Sequence, residues 1–265
     1  MHCGTFIYYR NKLKNAYMEN YKEFFETRTS IRRYEREAIT PEQLEVIYAA
    51  IRNTPTSYNG QQFTVIDVTD QDLKEQLYAI TNQKQIKTCN HFMFFCADFN
   101  RISVLANAKG IDMPAFQETM DGVMVGVIDA ALAMQNAVVA ARLCGLGSCC
   151  IGYARTADPA KIAELLKLPK GTFVVCGLAI GVPREQPDVK PKLPASLIIH
   201  QNHYRTDDMA QELLKYDTDV INYNQTRTGT KSDNDWCDHI LDYYREALKY
   251  QILDYLAAQG CSPQH

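Results

Sequence analysis

Arg28-Thr29-Ser30-Ile31-Arg32-Arg33 sets three fixed cations and two hydroxyls within six residues. Arginine stays protonated and offers a planar fork that matches phosphate oxygens two at a time. On an extended segment alternate side chains point the same way, so Arg28, Ser30 and Arg32 share a face suited to a phosphate monoester plus one further anionic or carbonyl group. A second basic pair, Lys190 and Lys192, lies far downstream in a Pro-flanked loop. The stretch Asn53-Thr-Pro-Thr-Ser-Tyr-Asn-Gly-Gln-Gln62 is dense in uncharged donors and acceptors. It reads either as a plain turn, since Asn-Gly and Pro favour turns, or as a reader of a neutral ring edge through amides such as Asn59 and Gln61.

Other motifs are weaker. Cys144-Gly-Leu-Gly-Ser-Cys-Cys-Ile-Gly152 resembles a dinucleotide loop only superficially, because its glycines follow a helix and open a strand, the reverse of the Rossmann order. His200 and His203 are three apart but no thiolate or carboxylate accompanies them at a useful distance, so they read as surface polar residues and no metal is expected. Of six histidines, His2 and His265 lie near the ends, which weighs against Ser-His or Cys-His hydrolysis.

The chain has 265 residues, is 46% hydrophobic and carries a net charge of -3, enough for one large or two smaller soluble domains. Local cationic clusters on such a chain suggest a small anion site, not a nucleic-acid surface. Val123–Leu146 is strongly apolar but carries Asp129, Gln135, Asn136 and Arg142, so it reads as a buried helix and not a membrane span. Nine dispersed cysteines without a C-x-x-C pair, and no visible signal peptide, point to reduced, buried thiols in the cytoplasm.

The elements that position these residues follow from pattern. Tyr17, Tyr21, Phe24 and Phe25 mark a face of a first helix, behind an extension in which Met18 is an alternative start. Thr40, Pro41 and Gln43 form a capping box opening a helix that buries Leu44, Ile47 and Ile51. Phe63–Val68, Phe92–Ala97, Ser148–Gly152 and Phe173–Gly181 read as strands. Asp70 caps a helix through Ile80, Asp121–Leu143 is a helix apolar nearly all round, and Asp158-Pro159 opens another to about Leu168. Asp207–Tyr216 and Trp236–Gln259 read as helices separated by a polar loop, Asn222–Asp235. The second carries a stripe of Trp236, Ile240, Tyr244, Leu248, Ile252 and Tyr255. Helices and strands alternate, which gives an α+β or α/β class.

Taken together, Arg28-x-Ser30-x-Arg32, the Pro-Thr-Ser-x-Asn-x-Gln loop, Gln83-Lys84, Ile151-Gly152 and Lys190-Pro-Lys192 resemble the nitroreductase superfamily, in its branch of FMN-containing, NADPH-dependent nitroreductases and flavin reductases. Phe95–Arg101, Leu165–Pro169, Lys190–Ser196 and Ile252–Leu256 extend the likeness over roughly Phe24 to Gln259. The resemblance implies an α+β fold with a mainly antiparallel central sheet flanked by helices, in an intertwined homodimer. It implies an N-terminal extension and first helix at 1–23, an FMN-binding core at 24–200 and a C-terminal excursion at 201–265.

Site roles are carried over on the same basis. Arg28, Ser30, Lys190 and Lys192 would hold the FMN phosphate, with Thr29 and Ile31 lining the cofactor. Arg32 would sit at the N1/C2 edge, where a cation favours the reduced ring. Gln83 and Lys84 would contact the ring or ribityl chain. The Gly152 N–H would approach N5, flanked by Ile151 and by Tyr153, which narrows access. Thr56 and Ser57, with Asn59 in the same loop, would come from the neighbouring subunit. Arg227 and Lys231 would meet the nicotinamide nucleotide. The implied activity is ping-pong transfer of two electrons from NAD(P)H, NADPH favoured over NADH, to small nitroaromatic, quinone or flavin acceptors. A specific dehydrogenase or dehalogenase on the same scaffold, or a non-catalytic flavin-binding dimer, are the alternatives.

Overall fold

A computed structural model describes residues 20–263. Tyr17, Met18 and the extension before them lie outside the described residues, as do His2 and His265. The chain forms two compact units: a larger one of Ser30–Glu185 with the stretch from Lys249 onward, and a smaller one of the stretch up to Thr29 with Gln186–Leu248.

The larger unit is built on a four-stranded sheet of order β1-β2-β4-β3, antiparallel throughout: β1 Phe63–Val68, β2 His91–Asp98, β3 Gly147–Ile151 and β4 Thr172–Gly181. The uninterrupted apolar run of β2 has a direct cause. Phe92, Phe94 and Cys96 point into a cluster on one face, and Met93, Phe95 and Ala97 into a cluster on the other, so every position is buried. Each large side chain buried in this way contributes about 1.5–3 kcal/mol. A register shift between Phe95 and Cys96 bends the β2–β4 ladder.

Two helices stand over the Met93–Phe95 face. α2 (Pro41–Arg52) opens with the full capping box: the Thr40 hydroxyl accepts from Gln43 N and the Gln43 side chain accepts from Thr40 N. The same Gln43 side chain donates to Cys144 O at 2.9 Å, so the cap also fastens α2 to the residue just after the long helix that ends at Leu143. α6 (Met120–Leu143) turns its small residues inward: Gly126, Ala130, Ala133, Ala137 and Ala141 are buried while Met124, Ile128, Leu132 and Leu143 are exposed. At Gly126 a Cβ would lie 2.8 Å from Ala97 Cβ and 3.0 Å from the Phe99 ring, so glycine permits the close approach to β2. By length and apolarity α6 could cross a membrane, but its small face is packed on the sheet and its Asp129 is hydrogen-bonded inside the unit.

The remaining helices of this unit are α3 (Gln71–Thr81), α4 (Lys84–Thr88), α5 (Asn100–Lys109), α7 (Tyr153–Thr156), α8 (Pro159–Leu165) and α11 (Ile252–Ala258). Asp70 caps α3 through Leu73 N at 2.7 Å, as its sequence position predicts. The smaller unit holds a helical stretch at 20–26 (α1), α9 (Met209–Thr226) and α10 (Trp236–Ala247).

The structure corrects three sequence expectations. Trp236–Gln259 is two helices, not one: α10 ends at Ala247 and α11 begins at Ile252. The apolar stripe is broken with it, since Leu248 is 88% exposed while Tyr255 is buried. α9 runs ten residues past Tyr216, to Thr226, through what the sequence presents as the start of a polar loop. Not every cysteine is a buried hydrophobe: Cys89, Cys96, Cys149, Cys176 and Cys261 are, but Cys150 and Cys237 are exposed and Cys144 is half-buried. Burial pushes the Cys89 and Cys96 thiols up to about 12 and the Cys261 thiol up to about 11, so none of these three is a nucleophile at neutral pH.

Candidate active site

The Ser30–Tyr34 segment is fixed against the edge of the sheet. Ile31 N donates to Ser148 O at 2.9 Å on edge strand β3, and the buried Ile31 side chain fills the space where a Cβ on Gly147 would stand, 2.7 Å away. Farther on, Tyr34 bridges to Pro183 and its buried hydroxyl donates to Ile31 O at 2.5 Å. Between these anchors the Glu185 carboxylate accepts from Arg32 N at 2.6 Å and from Arg33 N at 3.1 Å. Every backbone restraint here leaves the Arg32 side chain exposed, with one guanidinium nitrogen 3.4 Å from Ser30 O. Glu185 was invisible as a functional residue in the sequence, because its partners are backbone N–H groups about 150 residues away.

At the other end of β3, Ile151 is buried and Gly152 is exposed. Gly152 has φ -66 and ψ -30, a conformation open to any residue, and an added Cβ would meet nothing within 4 Å. Neither backbone torsion nor internal packing therefore requires glycine here. α7, which follows, is set down hard on β4: Ala154 is wholly buried, Gly177 leaves room for it, and Arg155 Nη1 donates to Val175 O at 2.6 Å. Tyr153 remains 44% exposed beside Gly152.

The polar loop is a built structure and not a slack turn. Asp129, 1% exposed in the middle of α6, accepts from Ser57 N through Oδ1 and from Gln62 N through Oδ2, both at 3.1 Å. Asn136, two turns on, donates to Thr54 Oγ1 at 2.9 Å, and Arg101 donates to Gln61 O at 2.7 Å. These anchors hold Tyr58, Asn59 and Gln61 at φ of 51, 54 and 53, a left-handed conformation that costs non-glycine residues energy. Thr56 and Ser57 stay half-buried while Asn59 is exposed. The signal for Asp129 was present in the sequence as a carboxylate in the middle of an apolar helix. Gln83 stands at the N-terminal boundary of α4 without a side-chain capping bond, its side-chain oxygen accepting from the Gln85 side-chain amide at 3.0 Å, and Lys84 is exposed at the first position of that helix.

In the smaller unit the Lys190–Lys192 loop is held by α9: Tyr216 donates to Pro191 O at 3.2 Å and Tyr223 to Asp188 O at 3.3 Å. The Asp188 carboxylate is stabilised in its charged form by the Thr228 N–H and hydroxyl, which lower its pKa. Lys190 and Arg227 line one cavity of about 200 Å³ with Tyr216, Tyr223, Trp236 and His239. Arg227 ends α9, its Nε donating to Thr230 O at 2.8 Å and its guanidinium 5.8 Å from the Tyr223 ring centroid. Lys192 and Lys231 are exposed and outside that cavity lining. Arg28 and Thr29 belong to this unit and are half-buried.

Comparison with known proteins matches these features to one family. The Nitroreductase family profile covers residues 25–182 and the profile of the Nitroreductase family C-terminal domain covers 190–263. The chain is 37% identical over 232 residues to an oxygen-insensitive NADPH nitroreductase of Salmonella typhimurium, covering 87% of this chain and 93% of that one. It is 35% identical over 233 residues to an FMN reductase [NAD(P)H] of Bacillus subtilis, with the same two coverages, 87% and 93%. The solved structure of NfrA2 from B. megaterium superposes with a TM-score of 0.86 at 31% identity, over 92% of this chain and 98% of that one. The chain belongs to the nitroreductase family, and it is an oxidoreductase with that family's mixed helix and antiparallel-sheet fold.

Proposed function

We propose that this protein is an FMN-dependent reductase that takes two electrons from NAD(P)H, NADPH favoured, and delivers them to nitroaromatic, quinone or flavin acceptors in a ping-pong cycle. The single observation that carries the reading is Gly152. It is bare, exposed and under no conformational demand, at the end of the edge strand whose start is paired with the Arg32 segment. That is what a flat ring lying against the backbone would require, and the exposed Arg32 cation suits its polar edge. The relatives' names point the same way, one a NADPH nitroreductase and one an FMN reductase.

When bound, FMN would supply a ring that accepts hydride from a reduced nicotinamide and passes two electrons to an acceptor. The protein's part is to hold and polarise. Ser30 and Arg32, on a backbone clamped by Glu185, offer a hydroxyl and a fixed cation. The Gly152 N–H, on a turn anchored by Ala154 and Arg155, offers a neutral donor at an exposed position. Gln83 and Lys84, with Ile31 and Ile151, complete the larger unit's contribution. The assignment of Arg28, Thr29, Lys190 and Lys192 to the cofactor and of Arg227 and Lys231 to the nucleotide rests on the sequence resemblance. The homodimer, with Thr56, Ser57 and Asn59 given to the partner's flavin, is supported by the exposure of Tyr58 and Asn59 in that loop and by the exposed apolar row on α6. The eight described cysteines are unbridged, which suits a reducing compartment such as the cytoplasm.

The test is an absorbance spectrum of the purified protein, followed anaerobically on addition of NADPH and then NADH. A flavin spectrum that bleaches supports the proposal; a colourless protein that takes up no added FMN overturns it. Arg32→Ala should weaken FMN retention and slow bleaching by about tenfold or more, as loss of a charge-assisted hydrogen bond predicts.

A further inference from the structure

We infer that Tyr153 and Tyr250 together set the size of electron acceptor admitted at Gly152, favouring flat single-ring molecules over fused three-ring ones; this rests on the flavin reading above. The Tyr153 ring, 44% exposed, meets the Tyr250 ring edge-to-face, with centroids 6.5 Å apart and planes at 72°. Both rings rise from anchored bases. Tyr153 is the first residue of α7, whose next two residues are a buried Ala154 and an Arg155 tied to Val175 O. Tyr250 stands just before α11, which buries Tyr255 and Leu256 and whose C-terminal Gln259 accepts from Gly171 N at 2.8 Å. An exposed tyrosine on a free loop would sweep aside for any ligand. This one is fixed at its backbone and braced at its ring, so it acts as a wall. The wall stands one residue from the bare Gly152, where space is open. A one-ring quinone or nitroaromatic can stack against a tyrosine face in that space. A three-ring flavin entering the same space must displace the pair.

Three variants, Tyr153→Ala, Tyr153→Phe and Tyr250→Ala, test this in the flavin-loaded enzyme. The readouts are kcat/KM for p-benzoquinone and for free FMN, the Kd of the FMN cofactor on the apoprotein, and the Kd of 4-hydroxybenzoate on the oxidised enzyme from the shift in flavin absorbance. In Y153A the ratio of the two kcat/KM values should move toward FMN by about tenfold, and 4-hydroxybenzoate should bind roughly 3- to 10-fold more weakly, the size of one lost aromatic contact. Y250A should move both in the same direction by less, because it removes the brace and not the wall. Y153F keeps the ring, so the ratio of the two kcat/KM values and the 4-hydroxybenzoate Kd should stay within twofold of wild type; a shift as large as that of Y153A would assign the effect to the hydroxyl and overturn the inference. Ratios and dead-end affinities within twofold of wild type in both alanine variants, with cofactor affinity retained, overturn the inference. If Y153A fails to fold, Y250A decides it alone. A wild-type protein that binds no FMN defeats the flavin reading and this inference together, whereas unchanged ratios in flavin-loaded variants defeat only the inference.

Discussion

Gly152 and Gly177 show how differently two glycines can be required. At Gly177 a Cβ would stand 2.4 Å from the Phe92 ring and 3.1 Å from Ala154, so the fold itself forbids a side chain. Gly177→Ala should therefore cost about 1–3 kcal/mol in urea unfolding, the usual penalty of overpacking. At Gly152 nothing in the chain objects. Gly152→Ala should leave stability unchanged or raise it by about 0.5–1 kcal/mol, while FMN affinity and anaerobic bleaching by NADPH fall. A variant that is both stable and fully active would show that the bareness of this position serves no ring. The sequence carried Arg32 and Gly152 plainly, since cations and glycines are chemically conspicuous. It did not carry Glu185, whose carboxylate holds the Arg32 and Arg33 N–H groups. Glu185→Ala should cost roughly 1.5 kcal/mol and loosen cofactor retention through Arg32, measured by urea melts and FMN titration.

Among the elements, those fixed by local chemistry were legible and those fixed by tertiary contact were not. The Thr40–Gln43 box and the Asp70 cap are complete within four residues, and both form as read. The break at Leu248–Gln251 has no such signature, because none of its residues is Gly or Pro and the apolar spacing continues through it. Beyond the break α11 buries Tyr255 and Leu256 in the larger unit's core, a tertiary contact that no local signal announces. α9 overran its reading for a related reason: its last two turns, rich in Asn, Asp and Thr, are held by Tyr223 on Asp188 O and Asn224 on Asn234 O. The candidate site's polar loop depends on α6 in the same way. Asp129 accepts two N–H groups; an amide at that position would turn a donor toward one of them. Asp129→Asn should then cost about 1.5–3 kcal/mol and release the left-handed residues Tyr58, Asn59 and Gln61. Hydrogen exchange should rise at Ser57 and Gln62 N–H before it rises in the strands. Unchanged protection at both amides would mean the loop is held by other means.

At the scale of the whole molecule, α6 poses the remaining question of energy. A helix of 24 residues that buries its glycines and alanines and exposes Met124, Ile128, Leu132 and Leu143 has its largest apolar side chains on the outer face. The inner face is explained by the close approach to β2 at Gly126. The outer row, at steps of four residues from Met120 to Leu132, forms a continuous apolar strip beyond what isolated surface residues account for. A second copy of the chain is the cover that the proposed function calls for, because the Thr56–Asn59 loop, anchored to Asp129 through Ser57 N, leaves Tyr58 and Asn59 exposed. Leu132→Glu places a carboxylate in the middle of the strip while leaving the buried alanine face untouched. Sedimentation at micromolar concentration should show the wild type as a dimer and the variant shifted to monomer. Flavin should be lost in parallel with dissociation, since Thr56 and Ser57 are assigned to the partner's site. Loss of the dimer with full flavin retained would separate the two and confine the cofactor to a single chain. A variant that stays dimeric would move the interface off α6 and leave its apolar strip without a role in assembly.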